Sequence, residues 1–169
     1  MPSLTAAART VVIEVYSTDA LEMAREKALV NAVFRRGGLK ALACQRVCRI
    51  YQLTGNWLDQ DPQRIAKELL CDAVVENFAI DARPELKGRL FADIWYKPGV
   101  TDPVGDSVVK AIASLSISGV RSAQAGKRVE VRAASSVKSV PSGLVRKLAG
   151  LLDREMLNPL VQECKLILP

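Results

Sequence analysis

The sequence predicts an α+β protein made of two tandem βαβαβ units whose sheets pack about a pseudo-twofold axis. Three observations predict it. The order strand, helix, strand, helix, strand runs through residues 9–81 and returns through 90–169, as two diverged copies of one supersecondary unit would. The first strand of each copy is apolar on both faces: Val11, Ile13 and Val15 alternate with Val12 and Tyr16, and Leu90, Ala92 and Ile94 with Phe91 and Trp95. Each copy has two helices, enough to cover one face, so the other face is expected to meet the same face of the other copy.

In the first copy, residues 11–16 are short and β-branched, a strand. Thr18-Asp19 offers an N-cap, and Leu21, Ala24, Ala28 and Ala32, with Leu29 and Val33 beside them, recur at helical spacing. Arg35-Arg36 suits the negative end of the helix dipole, and Gly37-Gly38 ends the helix. Residues 42–53 form the second strand. Asp61-Pro62 reads as a cap followed by proline at the first helical position, with Ile65, Ala66, Leu69 and Leu70 as the stripe. Residues 74–80 close the unit. In the second copy, 90–96 is a strand and Asp102-Pro103 caps a helix striped by Val104, Val108, Ile112 and Leu115. Residues 121–133 are a strand or hairpin. Leu144, Leu148, Leu151 and Leu152 mark the next helix, and 161–168 the last strand.

The division expected is a disordered leader at 1–8, a first repeat at 9–81, a linker at 82–89 and a second repeat at 90–169. The linker is polar and contains Pro84 and Gly88. The copies overlay directly. Val12-Ile13-Glu14-Val15 matches Phe91-Ala92-Asp93-Ile94, Arg49-Ile50-Tyr51 matches Lys127-Arg128-Val129, and Asp72 with its neighbours matches Asn158 with its own. Glu14 and Asp93 thus recur at one strand position, where an acid on the solvated side is expected.

At 169 residues and 49% hydrophobic, the chain can build a sizeable core. It has no histidine, which excludes Ser-His-Asp and Cys-His catalysis, histidine-ligated metals and an imidazole switch. No uncharged stretch reaches the length of a membrane span, and the N-terminus shows no signal peptide, so a soluble cytoplasmic protein is expected. Cys44, Cys48, Cys71 and Cys164 fit no zinc spacing and read as reduced, buried thiols, with Cys44 and Cys48 on one face of a strand. The net charge of +6 invites nucleic acid. The basic residues are scattered among acids, however, and none stands in an aromatic cluster, so a solvated basic surface is the reading.

The most distinctive stretch is Lys97-Pro98-Gly99-Val100-Thr101-Asp102-Pro103-Val104-Gly105. Pro98-Gly99 fits the centre of a type II turn, Asp102 caps, Pro103 starts a helix and Gly105 permits close backbone approach. Lys97 beside free helix N–H groups could hold an anion, although turn chemistry already explains every residue as a strand-to-helix corner.

This motif, after the Asp93-Ile94-Trp95-Tyr96 strand, resembles the hallmark of the PurS family, the small subunit of phosphoribosylformylglycinamidine (FGAM) synthase. The resemblance continues through residues 120–131 with their Gly126-Lys127 step. The first copy is similar to a degenerate PurS unit, with Cys48 in the glycine's place and without the Pro-Gly-Val and Asp-Pro elements at 17–20. The resemblance implies a noncatalytic component that joins a PurL-like synthetase and a PurQ-like glutaminase, or the remaining parts of a single-chain synthase, in purine biosynthesis. It implies no cofactor and no metal, and a homodimer is compatible with it. The motif residues it singles out for partner binding are Lys97, Pro98, Gly99, Asp102, Pro103, Gly105, Gly126 and Lys127. Two other functions stay open at this point: a regulatory domain binding a small molecule between sheets, and a weak RNA-binding module.

Overall fold

The computed structural model describes residues 8–81, 89–133 and 141–168. The expected leader at 1–8, apart from Ala8, and the expected linker at 82–89, apart from Arg89, lie outside the described residues. The elements run β1 (Arg9–Ser17), α1 (Ala20–Arg36), β2 (Leu42–Gly55), α2 (Asp61–Ile65) continued by a π-helical turn (Ala66–Leu70), and β3 (Glu76–Ile80). They continue with β4 (Arg89–Tyr96), α3 (Pro103–Ser114), β5 (Val120–Ala133), α4 (Ser142–Glu155) and β6 (Gln162–Ile167). The α+β class and the βαβαβ order of each half are those the sequence predicts.

The halves meet differently from the expectation. They do not stack as two sheets. The strands form one six-stranded antiparallel sheet in the order β3-β1-β2-β5-β4-β6. The join is β2 against β5, paired from Leu42↔Ala133 to Gly55↔Val120. Each half alone would leave a 14-residue strand as an open edge. Pairing the two edges satisfies both rows of backbone groups, which face-to-face stacking would not. The pseudo-twofold remains, now perpendicular to the sheet. It passes between Arg49 and Lys127, which are one another's counterparts in the overlay and face each other across the join.

The registers repeat with the overlay. Glu14 pairs with Ile50 as Asp93 pairs with Arg128. The turn before each last strand is built by the same bonds. Asp72 Oδ1 accepts from Val74 N–H and Asn158 Oδ1 from Leu160 N–H, at 2.9 and 3.1 Å. Thr18 N–H donates to the Val75 carbonyl as Lys97 N–H does to that of Val161, at 2.8 and 2.9 Å.

All the helices cover one face of the sheet, in pairs drawn from both halves. Val30 and Phe34 of α1 and Leu148, Leu151 and Leu152 of α4 pack on Leu42, Val47, Leu90, Ala92, Val129 and Val131. Ile65, Ala66 and Leu70 pack with Val108 and Ile112 of α3 on Val11, Ile13, Val15, Leu53 and Ala123. Burying a side chain such as Ile13 or Leu148 completely contributes about 1.5–3 kcal/mol, so each half depends on the other's side chains.

Several local expectations are corrected. Leu21, Ala24, Ala28 and Leu29 of α1 are exposed, and the buried stripe is one step round at Val30 and Phe34. Asp61 is the first helical residue rather than the cap and is buried, accepting from Leu58 N–H at 2.9 Å. Residues 121–133, read as a strand or a hairpin, form the single strand β5, and β3 starts at Glu76 because Val74 and Val75 belong to the turn. Val104 is exposed, whereas Val108 and Ile112 are buried. Cys44 and Cys48 lie on opposite faces. A bulge between Cys44 and Arg46 inserts a residue and reverses the alternation, so Cys44 faces α1 and Cys48 the opposite side.

Candidate functional site

The strand-to-helix corner of the second half forms as its residues dictate. The Val100 N–H donates to the Lys97 carbonyl at 3.0 Å, closing a turn with Pro98 and Gly99 at its centre. Gly99 has φ +82° and no atom within 4 Å of where a Cβ would stand. The backbone conformation, not space, demands glycine there. Asp102 caps α3, its Oδ1 accepting from Val104 and Gly105 N–H at 3.1 and 2.8 Å, and Pro103 opens the helix. Its Oδ2 accepts from Ala125 N–H at 2.6 Å. One carboxylate therefore fastens the corner to β5 beside Gly126 and Lys127. Gly105 packs against the Ala123 carbonyl and leaves no room for a side chain.

Gly126 lies under the next wall of the site. A Cβ there would stand 2.5 Å from the Ile94 carbonyl oxygen and 2.7 Å from the Trp95 ring. Trp95 covers Gly126 and packs with Ile50 and Cys48. Lys127 projects on the helix face and is exposed. The Lys97 ammonium donates to the Pro159 carbonyl at 2.5 Å, tying the corner to the turn before β6. The N–H groups that an anion would need at this helix start are bonded to Asp102, so the geometry is that of a built protein corner. Beside it an open polar groove is lined by Gln52, Thr54, Thr101, Asp106, Ser122 and Gln124.

The sheet face opposite the helices holds a feature the sequence reading missed. Glu14 and Asp93 are not solvated; they are 1% and 4% exposed. Arg128 lies between them, bonded to Asp93 through both ends of its guanidinium at 2.7 and 2.6 Å and to Glu14 Oε1. The pairing overcomes the cost of burial and raises the Arg128 pKa, so the arginine is charged at every accessible pH. Arg46 bonds Glu14 at 3.1 Å and Arg89 bonds Glu130 at 2.9 Å, extending the network. The Arg128 guanidinium also lies over the Phe91 ring at 5.1 Å, and that of Arg46 over Tyr16 at 4.5 Å. The signal in the sequence was an acid recurring at equivalent strand positions opposite an arginine in only one copy.

Burial pushes the thiols of Cys44, Cys48 and Cys164 up to about 12 and raises that of Cys71. Such thiols are poor nucleophiles near neutral pH. Among the described residues no group of three Cys, Asp or Glu side chains is placed to hold a metal ion.

Residues 91–168, from β4 through β6, match the family described as PurS: Phosphoribosylformylglycinamidine (FGAM) synthase. This segment, a little under half of the chain, is similar to the PurS family. The match takes in the corner motif, Gly126, Lys127 and the Asn158 turn, so the residues that shape this site lie inside it. It links this segment to the family described for FGAM synthase. No curated protein matches the chain. None of the described helices is long and apolar enough to cross a membrane.

Proposed function

We propose that the chain is a noncatalytic PurS-like component of FGAM synthase that joins the synthetase and glutaminase parts of that ligase, whether these are separate subunits or other parts of one polypeptide. The observation that carries this reading is the PurS match over 91–168. Residues 9–81 are read as a second, degenerate PurS-like repeat. The repeated registers and turn bonds support that reading. The corner residues Lys97, Pro98, Gly99, Asp102, Pro103 and Gly105, with Gly126 and Lys127, shape a rigid edge suited to a partner protein. The hydrogen bonds that the Asp102 and Lys97 side chains make run inside the chain, which favours a structural surface over a reactive one.

The test is reconstitution. The pure chain is expected to produce neither ammonia from glutamine nor FGAM from ammonia, ATP and formylglycinamide ribonucleotide. Mixed with the purified synthetase and glutaminase parts, it is expected to make glutamine-dependent FGAM formation possible. Ammonia-dependent FGAM formation by the pure chain overturns the noncatalytic assignment.

A further inference from the structure

Helix α1 has two apolar sides, and the fold uses one. Val30 and Phe34 are buried against the sheet, with Val33 packed beside them. Leu21 and Leu29 point away and are 62% and 71% exposed, with Ala24 and Ala28 exposed between them. Past the start of the helix, exposed Val74 and Val75 sit on the turn that Thr18 N–H bonds through the Val75 carbonyl at 2.8 Å. A single exposed leucine is ordinary on a protein surface; an aligned strip of apolar residues along a helix is not. The counterpart helix α3 has no such strip, because Val104 is followed on its exposed side by Asp106, Ser107 and Lys110.

The charges along the strip say what covers it. Arg25 and Arg35 are exposed on this side, and neither forms an ion pair among the described residues. Arg36 follows, held by Glu155 at 3.3 Å. Glu22 is the only exposed acid on the helix. A second copy laid face to face would set arginines against arginines. An acidic partner would not. We propose that the outer side of α1 is a docking surface for an amphipathic helix of a partner protein, whose apolar stripe is flanked by carboxylates facing Arg25 and Arg35. The 17-residue helix offers a track about 25 Å long, long enough for a helix-on-helix contact.

This inference rests on the reading that the chain works inside the FGAM synthase assembly. The probes are the purified synthetase and glutaminase parts, and the measurement is affinity for the full chain by sedimentation. Ala28→Arg is expected to weaken assembly at least about tenfold, the scale of losing one well-packed apolar contact, with unchanged thermal unfolding, because arginine is nearly as good a helix former as alanine. Arg25→Glu with Arg35→Glu is expected to weaken it most at low salt. A photo-cross-linker at Leu29 is expected to capture an acidic helical peptide of one of the two parts. Wild-type affinity in Ala28→Arg overturns this inference and leaves the proposed function standing. Cross-links confined to a second copy or to this chain itself overturn the occupant. Failure of the wild-type chain to bind either part overturns the proposed function and this inference with it.

Discussion

Comparing the first half with the second shows how two copies of one topology share a single set of charges. Glu14 and Asp93 stand at equivalent positions, and each faces the same partner-strand position, which is Ile50 in the first half and Arg128 in the second. One arginine therefore bonds the acids of both halves, with Arg46 as a second cation on Glu14. The converse holds at the aromatic wall: Tyr16 and Trp95 are equivalent, and the Trp95 ring leaves no room for a Cβ at Gly126, where the first half has Cys48. The backbone pairing is alike in the two halves while the side chains differ, and the differing groups tie the halves together.

Removing the shared arginine breaks the comparison most severely. Arg128→Met leaves Glu14 and Asp93 buried without their common cation, and a loss of about 3–5 kcal/mol is expected in urea unfolding. Adding Glu14→Gln and Asp93→Asn is expected to recover part of the loss. A variant as stable as wild type would show that the network is incidental. Next in size, Gly126→Cys copies the first half's residue into the second and forces Trp95 off the strand, at about 2–3 kcal/mol. The reverse change, Cys48→Gly, is expected to cost about 1 kcal/mol. Equal costs would mean that the two walls pack alike.

Gly99→Val tests the corner that only the second half has. With open space around it, the cost is the left-handed backbone alone, about 1–2 kcal/mol, read as a lower melting temperature. Lys97→Ala, the charge-only control, is expected to melt within about 1 kcal/mol of wild type. Should Gly99→Val melt like wild type while Lys97→Ala abolishes complex activity, the corner is an anion or partner site and not a structural turn.

The smallest effect concerns Cys48. Its thiol is held neutral up to about 12 in the folded chain, against 9.0 when unperturbed. The unfolded chain therefore loses its proton first, so the thiol's contribution is complete below about pH 9 and declines as pH rises toward about 12. Between about pH 8 and about pH 10 stability is expected to fall by about 1 kcal/mol on account of this thiol. Cys48→Ala is expected to remove that part of the fall.

Much of the fold is legible because local chemistry governs it. Asp19 and Asp102 as caps, Gly38 at the end of α1 and the Pro98-Gly99 turn all act within a few residues of themselves. The common order of strands and helices in the two halves is legible too, since equivalent registers need equivalent apolar spacing. What was not legible depends on where the sheet edges go. Both faces of β1 and β4 are apolar, which fits stacked sheets and a single sheet equally well, and only the β2–β5 pairing decides between them. The same ignorance misplaced Glu14 and Asp93 in solvent and the Leu21–Leu29 stripe in the core. In α1 the Leu21-Ala24-Ala28-Ala32 spacing gives one stripe, and nothing local says that Val30 and Phe34, one step round, are buried instead. The bulge that separates Cys44 from Cys48 is likewise invisible without its partner strand. Of the site, the corner was readable from its own residues, whereas the Asp102 bond to Ala125 links segments distant in the chain.

The axis between Arg49 and Lys127 has a consequence for how such a component can evolve. Two separate identical subunits related by a true twofold must present the same surface twice, and any substitution appears on both sides. Joining the halves in one polypeptide lifts that constraint. One end of the sheet can keep the Pro-Gly corner while the other trades it for a short connection and an apolar outer helix, and each can be tuned to its own neighbour without spoiling the other. Covalent linkage also fixes the stoichiometry of the two faces and keeps each at high effective concentration beside the other, so the specialised pair cannot be diluted into mismatched combinations.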